Sequence, residues 1–282
     1  MLQVNKIPSY LSPSAVTKAT KMPNSFYLSR LSGLDVPREP QALPAAVGSA
    51  FDYLLKVHMA NTAFQNKKHI VDKMMEEVED HQSEAMLAGR RLLNTYLTSA
   101  YDVKEFADIE VHNSHVVEYQ DKKIPMFGKL DATSHGSGSF EGRVIPFDWK
   151  VSGYCSDQSP KQGFFRAWKD GRPKVRHDLY REDMPFESID VDWAFQLCVY
   201  GWLIGYAVGE PFQARIDQLS YRQGNITVTQ YRGVIGEEFQ ILTFNRAYQV
   251  WEAINSGSYV RLLASTKDAN LVWLASLGES WF

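Results

Sequence analysis

Apolar residues recur at helical spacing in "AAVGSAFDYLLKVHMA" (45–60), which predicts a helix. The same period runs through "VDKMMEEVED" and "AMLAGRRLLNTYL" and predicts a longer helix or a helix pair between about residues 67 and 101. Beyond it the pattern changes to strands. "IEVHNSHVVEY" (109–119), "KIPMFGKLDATS" (123–134) and "GRVIPFDWKVS" (142–152) read as three of them, with "HGSGSFEG" a short loop between the last two. Residues 155–185 read as a long loop insertion. An apolar helix is predicted over 191–208, then a hairpin in "QARIDQLSYRQGNITVTQYRGV" turning at "RQGN". "EEFQILTFNRAYQVWEAINSG" reads as an amphipathic helix stopped by Asn-Ser-Gly. Prolines 8, 13, 23, 37, 40 and 44 predict an irregular segment over 1–44, packed on the core, with one short helix after "SPS". The order of elements indicates an α/β or α+β arrangement, read as one α/β domain over 45–282 with a small mixed β-sheet flanked by helices.

Composition narrows the function. The chain has 282 residues, 44% of them hydrophobic, enough for a substantial core. Its formal net charge of −3 excludes a molecule that is polybasic throughout, so any nucleic-acid contact must come from a local patch. Cys155 and Cys198 alone cannot build a disulfide framework, a zinc knuckle or a four-cysteine cluster. The most apolar window, 193–209, is shorter than the ~20 residues of a membrane span. The opening residues carry no apolar leader pattern, so the expected setting is cytoplasmic, with no membrane contact.

One strand carries unexpected charge. Asp148 and Lys150 lie two apart in "FDWK" and therefore project to one face, while Phe147 and Trp149 point to the other. A hairpin turning between Ser139 and Phe140 places Asp131 opposite Asp148, with Cβ atoms about 4.5–5.5 Å apart. Two carboxylates that close repel unless one is protonated or a cation lies between them. Paired aspartates beside a lysine suit Mg²⁺ or Mn²⁺, which prefer hard oxygen ligands. The plainer reading is a strand-edge ion pair with Asp131 as a turn residue.

These residues resemble the PD-(D/E)xK nuclease superfamily, in particular its RecB/Cas4-like exonuclease branch. "GKLDAT" is similar to the Gly-x-x-Asp motif and "FDWK" to the (D/E)-x-K motif. "QLCVY" matches Gln-x-x-x-Tyr, Glu110 resembles the upstream acidic residue, and "VGSAFDYLL" resembles Gly-x-x-x-His with Asp52 at the histidine position. "LSPSAVTKATKMPNSFYLSRL" resembles the N-terminal signature, with Met22 in place of its cysteine; the resemblance therefore implies no iron–sulfur cluster. It further implies a restriction-endonuclease-like core with a helical N-terminal region. The implied activity is a metal-dependent DNA exonuclease of recombination, repair or processing. Asp131, Asp148 and Lys150 would be catalytic. The metal would be held by Asp131 and Asp148, with the Trp149 carbonyl, Asp52 and Glu110 as further ligands. Gln196 and Tyr200 would position substrate; taken without the neighbouring motifs, a buried helix with a satisfied amide and phenol is the plainer reading.

The segment "KQGFFRAWKDGRPKVRHDLYR" (161–181) interleaves seven basic residues with aromatic rings. Lys161, Arg166, Trp168, Lys169 and Arg172 are candidates to hold linear DNA or a single-stranded end, against the reading of a solvated loop. The seven histidines show no metal-ligand spacing and read as structural or surface residues. The absence of helicase motifs leaves room for a helicase or single-strand annealing protein as partner, and the resemblance allows a viral origin, so the setting is a bacterial host or a virus-infected cell. The alternative function is an inactive nucleic-acid-binding or scaffold protein on the same fold. A metabolic enzyme has no glycine-rich phosphate loop or Ser-His-Asp elbow in its favour.

Overall fold

The computed structural model describes residues 5–35, 41–78, 83–152, 168–169, 172–173, 184–222 and 225–265. Helix α1 spans Pro13–Lys21, α2 Pro23–Phe26, α3 Leu43–Thr62, α4 Lys68–Val78 and α5 Ser83–Ser99. Strands β1 (Phe106–Tyr119), β2 (Lys122–His135) and β3 (Val144–Ser152) follow. A two-stranded ribbon, β4 (Trp168–Lys169) and β5 (Arg172–Pro173), precedes α6 (Val191–Leu203). Strands β6 (Phe212–Arg222) and β7 (Asn225–Ile235) and helices α7 (Glu237–Asn255) and α8 (Ser258–Ser265) complete the chain. Five strands form one mixed sheet in the order β1-β2-β3-β6-β7; only β3 and β6 run parallel.

The sheet separates two cores. One contains α3, α5 and Val71 of α4, packed on Ile109, Ala132, Phe147, Trp149 and Leu219. The other contains α1, α2, α6, α7 and α8, packed on Val117, Ile124, Met126, Leu130, Ile216 and Tyr231. This is the mixed α/β arrangement expected from the element order, with a helical N-terminal region. Helix α6 is buried nearly all round, and no helix among the described residues is long and apolar enough to cross a membrane.

Three expectations need correction. Residues 1–44 are more helical than their prolines predict. Ser12 Oγ accepts from the Ala15 N–H to start α1, as expected, but α2 follows and continues into a π-helical turn over Tyr27–Leu31. Pro13 and Pro23 both occupy the first turn of a helix, where a missing N–H costs nothing. Helix α6 ends at Leu203 rather than at 208, because the chain reverses through Gly205, whose φ is +108°. The Asn-Ser-Gly stop after α7 is a break rather than an end: Gly257 turns with φ +69° and α8 resumes.

Candidate active site

The β2–β3 register pairs Ala132 with Phe147, Thr133 with Pro146 and Ser134 with Ile145, the register predicted from the turn. The ladder stops at Ala132–Phe147, so Asp131 and Asp148 stand one residue beyond its last rung. From there the strands part while β3 continues alongside β6. The acids therefore sit in the fork of a splayed pair rather than on a flat sheet.

A change of face brings further carboxylates to that fork. Ile109 packs with α3 and α5 while Val111 packs against the opposite core, although residues two apart in a regular strand share a face. Glu110 between them has φ +47°, in the left-handed region that side chains rarely adopt. Across the ladder, Leu130 and Ala132 divide between the two cores in the same way, around Asp131. Backbone strain of about 1–3 kcal/mol at such a residue persists only where the surroundings over-determine it. Here the outcome is a Glu110 carboxylate turned towards α3.

Helix α3 supplies Asp52 and, one turn later, Lys56. Lys56 is buried and had no part in the expected site. Its ammonium meets Asp52 Oδ2 at 2.6 Å and Asp131 Oδ1 at 3.0 Å and also contacts Glu110. The second Glu110 oxygen lies 2.9 Å from His112 Nε2, so His112, expected to be a bystander, helps to hold this cluster. Asp52, Glu110 and Asp131 form an acidic triad that could bind a metal.

On the α6 side, Asp148 forms an ion pair with Lys150, and Lys150 donates to Gln196 Oε1 at 2.8 Å. Gln196 and Tyr200, one turn apart, face the fork together, and the Gln196 amide donates to the Tyr200 hydroxyl at 2.9 Å. Gly128 lets α6 pack closely on β2, since a Cβ there would stand 2.5 Å from the Leu203 side chain and 3.2 Å from the Tyr200 ring. Asp52, Asp131, Asp148, Trp149, Lys150, Gln196 and Tyr200, seven of the residues singled out in the sequence, thus line one cavity of about 260 Å³. Glu110 lies behind it. Lys161 and Arg166 are outside the described residues. Trp168, Lys169 and Arg172 are described only as backbone of the ribbon, with Lys169 paired to Arg172.

Burial dominates the electrostatics. It pushes the Asp148 carboxyl well above its ordinary value, with Asp131 adding to the rise and Lys150 opposing it. Burial also acts to raise Asp131, but Lys56, the hydrogen bond with Asp148 and Lys150 outweigh it and hold that carboxyl well below the usual range. The proton of the pair therefore resides on Asp148 and is shared towards Asp131. Asp52 is pushed up to about 7, mainly by burial, against the pull of Lys56. Lys150 is raised despite its burial, chiefly by Asp148, and so remains an ammonium.

The donor set fits a hard divalent cation. Asp52, Asp131 and Asp148 present carboxylates to the cavity. Asp52 Oδ1 and Asp148 Oδ2 are buried without a hydrogen-bond partner; the latter lies against Lys150 as an ion pair without hydrogen-bond geometry. Four carboxylates (Asp52, Glu110, Asp131 and Asp148) against two ammonium groups (Lys56 and Lys150) leave a formal charge of −2. Protons on Asp52 and Asp148 relieve that charge in the metal-free protein.

A pH dependence follows. Asp52 titrates near its ordinary 3.8 when unfolded and at about 7 when folded. Between those values the folded protein keeps a proton that the unfolded chain has released, so metal-free stability falls as pH rises from about 4 to about 7. Asp148 acts in the same direction. Asp131 acts oppositely, but its contribution is complete above about 3.8 and does not mask the decline. Asp148→Asn imitates the protonated carboxyl, because its amide can donate to Asp131. In EDTA its melting temperature is expected to fall less than wild type between pH 5 and pH 8, with less gain from Mn²⁺. Equal slopes for the two proteins would contradict the assignment of the proton.

A larger groove of about 830 Å³ adjoins the cavity and shares Lys150, Gln196 and Tyr200 with it. Its outer wall is the N-terminal segment, fixed by Leu11, which donates to the Pro125 carbonyl and accepts from the Phe127 N–H, both at 2.9 Å. Tyr10 and Phe127 pair at 5.0 Å between ring centres along this wall, and Trp193 lines the groove as well. Lys18, Arg30 and Lys129 add positive charge. The sequence pointed to residues 161–181 for such a surface and gave no notice of this one.

No protein-family model matches the chain, and no curated protein matches it. Among solved structures, the chain is similar to the crystal structure of SSO0001, at 13% identity over 84% of each chain with a TM-score of 0.29. A likeness at that score carries no argument about fold or function.

Proposed function

We propose that this protein is a metal-dependent nuclease that hydrolyses phosphodiester bonds in DNA. The observation that carries the reading is the meeting of Asp131, Asp148, Lys150, Gln196 and Tyr200 around one cavity at the β2–β3 fork. Asp131, Asp148 and Asp52 would hold Mg²⁺ or Mn²⁺. Bound there, such an ion polarises the phosphodiester and lowers the pKa of its water. Lys150 is held as an ammonium, so it orients the attacking water and neutralises the charge developing on the phosphoryl oxygens rather than accepting a proton. Gln196 fixes the Lys150 ammonium from the side opposite Asp148. Water adds to phosphorus as the ester P–O bond breaks, leaving a phosphate and a hydroxyl end. The aromatic and basic groove leads an unpaired strand towards the cavity through stacking and phosphate contacts.

Labelled linear and circular DNA incubated with Mg²⁺, Mn²⁺ or EDTA tests the reading. Metal-dependent loss of the linear substrate is expected, and retention of the circle identifies action from an end, as the resemblance to exonucleases implies. Binding without cleavage in either metal would favour the inactive binding protein instead.

A further inference from the structure

Lys56 is 1% exposed, yet it carries a charge in the middle of three carboxylates. An ammonium has three N–H donors. Asp52 and Asp131 each accept a hydrogen bond from it and Glu110 meets it as an ion pair, so each carboxylate turns one oxygen to the ammonium. The carboxylates come from α3, β1 and β2, and among the described residues the strained Glu110 turns its carboxylate to Lys56 and His112. Such a triad is itself a divalent-ion seat by donor type. Removing the ammonium would leave three clustered carboxyl groups without a cation, the Glu110 one buried.

We propose that the Lys56 ammonium is the built-in cation of the Asp52–Glu110–Asp131 seat, so that the site takes a single divalent ion, on the Asp131–Asp148 side. The inference rests on the nuclease reading for the identity of that ion. Charge supports it independently. The four carboxylates and two ammonium groups leave −2, which one divalent cation cancels and two would overshoot. The lining agrees, because Asp52, Asp131 and Asp148 border the cavity and Asp52 Oδ1 has no hydrogen-bond partner, whereas both Glu110 oxygens are taken and Glu110 is not part of the lining.

Counting bound Mn²⁺ by electron paramagnetic resonance, with no DNA present, tests the inference. Wild type is expected to bind one ion per chain, and Lys56→Gln is expected to bind one more than wild type. Lys56→Gln is also expected to melt at a lower temperature than wild type in EDTA and to recover in Mn²⁺. Two ions in wild type, or equal counts in the two proteins, would overturn the inference and leave the nuclease reading standing. No ion in wild type but one in Lys56→Gln would uphold the Lys56 seat and remove the metal from the nuclease reading. If Lys56→Gln does not fold even with Mn²⁺, the double variant Lys56→Gln/Asp52→Asn, which deletes one charge of each sign, is counted in its place. The wild-type count remains decisive in that case.

Discussion

Lys150→Ala is expected to lower the rate of DNA cleavage about 10²–10³-fold while leaving DNA affinity and melting temperature close to wild type. The loss of rate follows from position. The ammonium meets Asp148 and Gln196 at the cavity wall, held in its charged form by the Asp131–Asp148 pair, which shares one proton and keeps one negative charge. A group aimed at developing charge contributes to the transition state more than to the bound substrate, so the turnover rate should fall and the Michaelis constant should change little. The fold tolerates the change because Asp148 already holds a proton and does not become an unpaired buried anion. Single-turnover cleavage with saturating Mg²⁺ gives the rate and thermal melting gives the fold. A loss of less than tenfold would remove Lys150 from the chemistry.

Asp217→Ala is expected to destabilise the protein by about 3–5 kcal/mol, the largest stability effect among these predictions. Asp217 and Arg215, both buried on β6, form a two-pronged ion pair with contacts of 2.9 Å. Arg215 also reaches Glu105 at 2.5 Å, and Arg232 of β7 meets the same carboxylate at 3.1 Å. The Tyr96 hydroxyl of α5 donates to Asp217 at 2.7 Å and accepts from the Trp149 indole at 3.1 Å. Truncating Asp217 leaves the buried guanidinium with Glu105 alone and the Tyr96 hydroxyl without its acceptor, and that penalty, rather than the worth of the pair, sets the magnitude. Urea unfolding measures it, and a change below about 1 kcal/mol would contradict the account. Since Trp149 lies between Asp148 and Lys150, the same variant should also loosen β3 beside the cavity.

The longer helices, the main-sheet strands and even the β2–β3 register were legible because apolar spacing and a compact turn leave few alternatives. Asp131 beside Asp148 followed from that register alone. Lys56 was not seen, although its signal was present: Asp52 and Lys56 are four apart on a helix whose neighbouring residues are apolar. An acid–base pair at that spacing usually lies on a solvated face, and only the carboxylates of β1 and β2 give it a reason to turn inwards. Arg215 and Asp217 escaped notice for a related reason. They repeat the alternation of charge that marked Asp148 and Lys150, inside a segment read simply as a hairpin. The Glu110 backbone has no sequence signal, because a glutamate in the left-handed region is imposed by its surroundings. The N-terminal groove depends on Leu11 docking beside β2, a contact more than a hundred residues apart in the chain.

The parallel pairing of β3 with β6 has a consequence for synthesis. A chain made from its N-terminus carries all four acidic residues of the fork before β6 has emerged from the ribosome. Until Phe212–Arg222 is made, β3 has no neighbour on its far side and the Asp217 buttress behind Trp149 does not exist. Contacts spanning so much sequence form slowly. On the proposed reading, cutting ability should therefore arrive only once β6 is in place, leaving the nascent chain inert while it is still attached to its own message.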